Sequence, residues 1–432
     1  MIEEIKQKLD KDINCNLSIE ELKILYGINI SNYDITQYIE IIKYIDNRNK
    51  YEDLIKIFNK KYVARYNYEI NENTICFIGT LSINDKLPTY NLRYVYGKLI
   101  YELDNVYNLE NLELIIGDGL FFNLINSYGL DNLSLIYKEA YFRYLESAEG
   151  LSSLKIVGYA NFEKLKDSKG LENLIIICNN ANFRSLISAE GLISLKSVYR
   201  NADFSNLRKS KGLENLEYIG GEAIFLYLEN ADGLCNLKII KGNSFFESLK
   251  DSNGLYNLKM MGGDCTFYSL PKLNSIERIY GHLSIKYKDN NILEYLNKVY
   301  GIEVDSVKKV ALNYFNLNDS TEVFINNLNI DYDNKFYPNL KYVIGNFTFQ
   351  SDKLSGIKNL KKVFGSAIFK HLKSAECLAN LEYIGKNAIF NSLESLEGLD
   401  NLKYIGSSEQ FGKDCLTFEE FKNNIKVKRI II

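Results

Sequence analysis

The sequence predicts a mainly β protein, a right-handed β-solenoid carrying a helical N-terminal region and a helical insertion. Two observations predict it. A Gly-Leu step, or a close variant of it, recurs at Gly129, Gly150, Gly170, Gly191, Gly212, Gly233 and Gly254, and again at Gly356, Cys377 and Gly398. The intervals are 21, 20, 21, 21, 21 and 21 residues in the first run and 21 in the second, and a constant period in this range is the mark of stacked coils. In addition, a phenylalanine fills one slot of every coil: Phe121, Phe142, Phe162, Phe183, Phe204, Phe225, Phe246 and Phe267, then Phe369 and Phe390.

The columns around that phenylalanine follow from strand geometry. Two residues earlier stands a small residue, such as Ala140, Ala160, Ala181, Ala202, Ala223, Ala367 or Ala388, and three residues later a leucine, such as Leu145, Leu165 or Leu186. Positions i and i+2 share one face of a strand, so the small residue and the Phe point inward and each Phe stacks on the next. A second short strand reads L-x-x-I, as in Leu216 and Ile219. Before its leucine stands Asn111, Asn132, Asn173, Asn215, Asn236, Asn257, Asn359, Asn380 or Asn401, whose amides are expected to satisfy turn backbone or to ladder between coils. The residue before each Gly runs Glu149, Lys169, Glu190, Lys211, Asp232, Asn253, and the one before that Ala148, Ser168, Ala189, Ser210, Ala231, Ser252. Opposite charges then fall on adjacent coils about 4.8 Å apart, a solvated ladder, and the alternation points to a duplicated two-coil unit.

Outside the regular coils the pattern changes. Residues 1–67 read as a helical N-terminal region covering the open first coil, with Ser18 and Glu21 as a capping box, Gly27 as a C-cap and Asp34 as a further N-cap. Residues 68–289 form a first solenoid segment and residues 290–322 a helical insertion, helix-like at "NILEYLNKVYG" and "VDSVKKVALNYF". Residues 323–432 form a second solenoid segment, closed by a helix–strand cap whose capping box is Thr417 and Glu420.

Composition excludes several classes. With 52 basic and 55 acidic residues the net charge is −3, which gives no reason to expect nucleic acid or an anionic membrane as partner. There is no uncharged apolar run of membrane-spanning length and no signal-peptide core at the start, so a cytoplasmic location is expected, with the cell surface by an unconventional route as the alternative. The high content of Ile, Asn, Lys and Tyr points to an AT-rich bacterial genome. Seven cysteines without a CxxC pair read as reduced structural thiols. The two histidines, His282 and His371, have no Ser or Cys motif beside them, and no phosphate-binding loop is present.

The phrases "YPNLKYVIGNFTF", "GLENLEYIGGEAIF" and "GLCNLKIIKGNSFF" resemble the leucine-rich-repeat class, and within it the receptor L-domain variety, whose coils read N-L-x-x-I-x-G followed by a short strand. The likeness spans roughly residues 70–285 and 323–412. The sequence lacks the cysteine-rich modules of receptor L domains and the regular L-x-L-x-x-N of internalins. The resemblance implies a binding scaffold with no cofactor and leaves the ligand unnamed.

Function is then sought in the outward rows. Flanking the buried Phe column, Tyr141, Arg143, Asn161, Glu163, Asn182, Arg184 and Asp203 form a polar patch, and Arg143-Glu163-Arg184 also reads as a charge ladder. A second row runs Leu114, Leu135, Ile156, Ile176, Ser197, Tyr218, Ile239, Met260, and in the second segment Tyr342, Lys362, Tyr383, Tyr404. It is either an outward interface stripe or core, because L-x-x-I has no clean period of two. In the coil of Phe225 the outward candidates are Tyr218, Ile224, Leu226 and Tyr227. No catalytic, cofactor-binding or metal-ligating residue is assigned. The leading expectation is a non-enzymatic scaffold for a protein partner. The alternatives are an adhesin-like or carbohydrate-binding solenoid and a glycan-active β-helix enzyme, whose paired carboxylates would have to be Glu163 and Asp203, two coils apart.

Overall fold

Every regular coil contributes two short strands, each pairing in parallel with its counterpart in the neighbouring coil. In this computed structural model the register Leu114↔Leu135↔Ile156↔Ile176↔Ser197 steps once per coil through the first strand. Gly119↔Ala140↔Ala160↔Ala181↔Ala202 does so through the second. The structure describes residues 2–28, 35–250, 252–269, 278–279, 283–287, 291–312, 316–330, 337–350, 357–395, 397–406 and 409–411. Asp34, His282, Cys415 and the expected C-terminal cap with Thr417 and Glu420 lie outside the described residues. The chain divides into two compact units, residues 1–204 with 211–216 and residues 205–210 with 217–432.

The core is the stacked columns. In the first unit Phe121, Phe142, Phe162, Phe183 and Phe204 are fully buried, and successive rings stack with centroids 4.6, 5.3, 5.2 and 5.5 Å apart. In the second unit Phe225, Phe246 and Phe267 continue the pattern at 5.3 Å, as do Phe369 and Phe390 at 5.1 Å. Identical side chains at identical heights stack into continuous buried columns.

The two-coil alternation has a hydrogen-bond basis. The Ser127 hydroxyl accepts from the Gly150 N–H at 3.0 Å, Ser168 from Gly191 at 2.9 Å and Ser210 from Gly233 at 2.8 Å. The coils bearing Ala148, Ala189 and Ala231 turn through 3₁₀ segments, Glu149–Leu151, Glu190–Leu192 and Asp232–Leu234, and the alternation ends at Ser252, whose coil also turns through a 3₁₀ segment, Asn253–Leu255. Gly150 is obligatory because a Cβ there would lie 1.9 Å from the Ser127 carbonyl oxygen.

The N-terminal region consists of helices α1 (Ile2–Lys11), α2 (Ile19–Leu25), α3 (Ile35–Ile42) and α4 (Lys50–Phe58). The capping box forms as read: Ser18 Oγ accepts from the Glu21 N–H and the Glu21 carboxylate accepts from the Ser18 N–H. Gly27 takes φ +72° after α2, and the bonds Ile28 N–H to Lys23 C=O and Gly27 N–H to Ile24 C=O complete a Schellman stop. The Arg48 guanidinium grips Asp53 through Nε at 2.7 Å, the Tyr26 hydroxyl donates to the same carboxylate at 2.9 Å, and Arg48 also donates to the Ile13 carbonyl.

These helices lie on the side of the sheet. Their apolar residues, including Ile5, Leu9, Leu22, Leu25 and Ile41, form one buried cluster with Cys76, Tyr94, Leu114, Leu135 and Ile156. Tyr96 donates to the Tyr26 carbonyl at 2.7 Å and Lys138 pairs with Asp46 at 3.0 Å. The row of Leu114, Leu135 and Ile156 therefore points away from the solenoid interior, and these three are buried because the chain's own helices cover them, whereas Ser197 in the same row is half-buried.

An opening motif occurs twice. In the first unit a 3₁₀ turn, Lys60–Tyr62, leads into strand Val63–Ala64, which pairs with Cys76–Ile83 in the register Val63↔Cys76. In the second, helix α5 (Asn291–Tyr300) is followed by the 3₁₀ turn Val307–Lys309 and strand Val310–Ala311, in the register Val310↔Val323. Both contain the same turn: Asn71 N–H donates to Thr74 Oγ1 and Asn318 N–H to Thr321 Oγ1, each at 3.0 Å, with both threonines buried. Over the described residues 304–312 of "VDSVKKVALNYF", the expected helix is instead a 3₁₀ turn and a strand. Ser306 caps only a short turn, and β-branched Val310 is drawn into the sheet. The second stack continues in parallel through Val323–Ile325, Tyr342–Ile344, Lys362–Val363, Tyr383–Ile384 and Tyr404–Ile405.

Candidate functional site

The polar patch runs from the outward side of the strands that end at Tyr141, Asn161 and Asn182 onto the turns that follow them, which carry Arg143, Glu163 and Arg184. Along it, Tyr141 pairs in register with Asn161 and Asn161 with Asn182. Arg143 is exposed and its Nε lies 2.9 Å from Glu163 Oε2, so one rung of the Arg-Glu-Arg ladder forms. Its pKa is raised, first by a hydrogen bond from its guanidinium to Tyr141 and then by the Glu163 charge. Arg184 is exposed, and among the described residues its guanidinium has no ion-pair partner. Asn182 and Asp203 are half-buried. Asn161 departs from the expected outward placement: it is buried between its row neighbours at 7 % exposure and accepts from the Asn182 amide at 3.4 Å. In the second unit Tyr218, Ile224 and Leu226 are half-buried and Tyr227 is exposed, with Lys241 5.4 Å from the Tyr218 ring centroid.

Residues that column reasoning passed over complete the face. Phe122 stands where other coils carry Arg143 or Glu163, is exposed, and meets Tyr141 edge-on at 5.4 Å. Tyr144, also exposed, has the Arg143 guanidinium 5.7 Å and the Lys164 ammonium 4.8 Å from its ring centroid. Two residues before the Tyr141 row, on the same strand face, run Lys98, Asp118, Glu139 and Tyr159. Lys98 pairs with Asp118 at 3.4 Å. The Glu139 carboxyl is held above its ordinary value by burial and then by the Asp118 charge. The period-two rule that placed Tyr141 outward would have placed Glu139 there too, and this is the adjacent carboxylate pair absent from the sequence reading.

Two open hollows, of about 500 and 590 Å³, lie at the opening motifs. The first is lined by Lys60, Lys61 and Arg65, the second by the ion-paired Asp305, Lys309, Glu322 and Lys341. His371 is exposed. Among the described residues no group of three or more His, Cys, Asp or Glu is placed to hold a metal ion, and no helix is long and apolar enough to cross a membrane. The six described cysteines are unbonded.

The parallel coils, about 20 residues apart, define a β-solenoid repeat protein. No protein-family model matches the sequence, and no curated protein is significantly similar to it.

Proposed function

We propose that the chain is a non-enzymatic scaffold of the leucine-rich-repeat kind, acting in the cytoplasm of a bacterium, that binds a protein partner along the outward face of its first unit. One observation carries the reading: Phe122 packs on Tyr141, and Arg143 and Lys164 stand over Tyr144, where the stacked strands give way to stacked turns. Aromatic residues and arginine dominate the energetic centres of protein interfaces, and a face held by stacked coils is ordered before the partner arrives. Unpaired Arg184 offers a carboxylate of the partner a bidentate contact.

The test is affinity capture with the wild-type chain and the Arg143→Ala/Tyr144→Ala double variant. A defined protein recovered by the wild type and lost by the variant, at equal melting temperature, supports the proposal. Equal recovery by both places binding elsewhere.

A further inference from the structure

We infer that the hollow at the first opening motif is a binding site for the phosphate group of a small soluble phosphomonoester. The inference is independent of the face around Arg143.

The volume of about 500 Å³ is in the range of small-molecule sites. Its wall is cationic. Lys60, Lys61 and Arg65 line it, all exposed, against one carboxylate, that of Glu69. Among the described residues none of the three cations has an ion-pair partner. Glu69 is already engaged, because its Oε2 accepts from the Arg65 N–H at 2.6 Å and from the Tyr66 N–H at 3.2 Å. The wall therefore holds two positive charges in excess. Helix α4 ends beside it at Phe58, and a helix C-terminus favours cations. Its dipole is worth about half an elementary charge, so most of the excess stays uncompensated.

The fold does not require these cations. The second opening motif repeats the turn position by position. Asn59 Oδ1 accepts from the Lys61 N–H and Ser306 Oγ from the Lys308 N–H, ahead of the strands that begin at Val63 and Val310. Where the first motif has Lys60 and Arg65, the second has Val307 and Leu312, and Leu312 is buried. Lys308 stands in the place of Lys61. The turn thus forms with apolar residues at two of the three cationic positions, and the cations of the first motif are additions to it.

The chemistry of the wall selects the ligand. The Arg65 guanidinium lies 4.8 Å from the Tyr51 ring centroid, a cation–π contact that positions it without using its N–H donors. The planar fork can then meet two oxygens of one anion, and Lys60 and Lys61 add ammonium donors. A phosphomonoester carries about 1.5 to 2 negative charges near neutral pH and three acceptor oxygens, which matches the excess charge and the three cationic groups. A carboxylate brings one charge and two oxygens.

The test is isothermal titration calorimetry of the full chain with glycerol 3-phosphate. Acetate, glycerol, phosphatidic-acid vesicles and an oligouridine serve as comparison probes. We expect saturable one-to-one binding of glycerol 3-phosphate, with acetate and glycerol at least about tenfold weaker. Arg65→Gln and Lys60→Gln/Lys61→Gln should each weaken it about tenfold or more, with melting temperatures confirming that both variants fold. Lys308→Gln, at the matching turn, and Arg143→Ala/Tyr144→Ala should bind it like the wild type. Absence of saturable binding, equal binding of acetate, or wild-type affinity in either hollow variant would overturn the inference. So would vesicles or RNA bound about tenfold tighter than glycerol 3-phosphate, which would assign the cations to a lipid surface or a nucleic acid.

Discussion

The side-chain amide of Asn173 donates to the carbonyl of Ser152, 2.7 Å away and 21 residues earlier. The same rung joins Asn111 to Tyr90, Asn132 to Glu110, Asn215 to Ile193, Asn257 to Cys235, Asn359 to Pro338, Asn380 to Lys358 and Asn401 to Ala379. The asparagine column is thus a coil-to-coil tie between a side chain and the backbone. Asn173→Ala removes one neutral hydrogen bond at an exposed turn and should cost about 0.5–1.5 kcal/mol. Phe162→Ala, in the stacked core, should cost about 3–5 kcal/mol. Urea unfolding followed by tyrosine fluorescence ranks the two, and an equal loss would contradict the division between tie and core.

Gly150→Ala should be more damaging than its size indicates. The added methyl meets the Ser127 carbonyl oxygen at 1.9 Å, and displacing that backbone also strains the bond between the Gly150 N–H and the Ser127 hydroxyl. Loss of soluble protein or a large fall in melting temperature is expected, and a melting temperature equal to the wild type would show that the coil spacing is looser than described.

The helical cover depends on a buried ion pair. Arg48→Met leaves the Asp53 carboxylate buried without its cation and should destabilise by about 3–5 kcal/mol, whereas Arg48→Met with Asp53→Leu should regain much of that loss. Hydrogen exchange should accelerate in α1–α4 in the single variant. By contrast the Lys169–Glu149 rung, at 2.5 Å, is exposed and screened by solvent, so Lys169→Ala should melt close to the wild type.

Burial lifts the Cys178 thiol to about 11 and the Cys265 thiol to about 12 from an ordinary value of 9.0. Neutral thiols in the folded chain face ionised ones in the unfolded chain once the pH passes 9. Stability from this source is therefore complete below about pH 9 and declines as the pH rises toward the folded values. Melting temperature should fall across that window, and less steeply in Cys265→Ala. Alkylation of Cys76 and Cys265, both buried, should require unfolding.

Much of this architecture is written in the sequence because stacking forces the same residue into the same slot: Phe162, Ala160 and Leu165 could be assigned inward from their repeats alone. The direction of the Leu114 row could not. Its strands are as short as Leu114–Ile115, too short to show a period of two, and its apolar residues are buried by helices remote in sequence. Val310 reads as helix from its neighbours in sequence, and it is its pairing with Val323 that makes it a strand residue. On the candidate face, Arg143 and Glu163 stand out as an alternating column, whereas Phe122 is the one phenylalanine in that same column and Tyr144 shares its column with Tyr227 but otherwise with such residues as Asn123, Lys164, Ser185 and Asn206. Surface residues answer to the partner rather than to the stack, so repetition cannot reveal them.

The central claim, that the face around Arg143 meets a protein, is tested most directly by site-specific photocrosslinking in living cells. A photoreactive residue at position 184, on the face, is compared with one at position 190, on the charged edge. The account predicts a discrete higher-mass protein adduct from position 184 and none from position 190. Adducts of equal yield from both positions, or from position 190 alone, would contradict it.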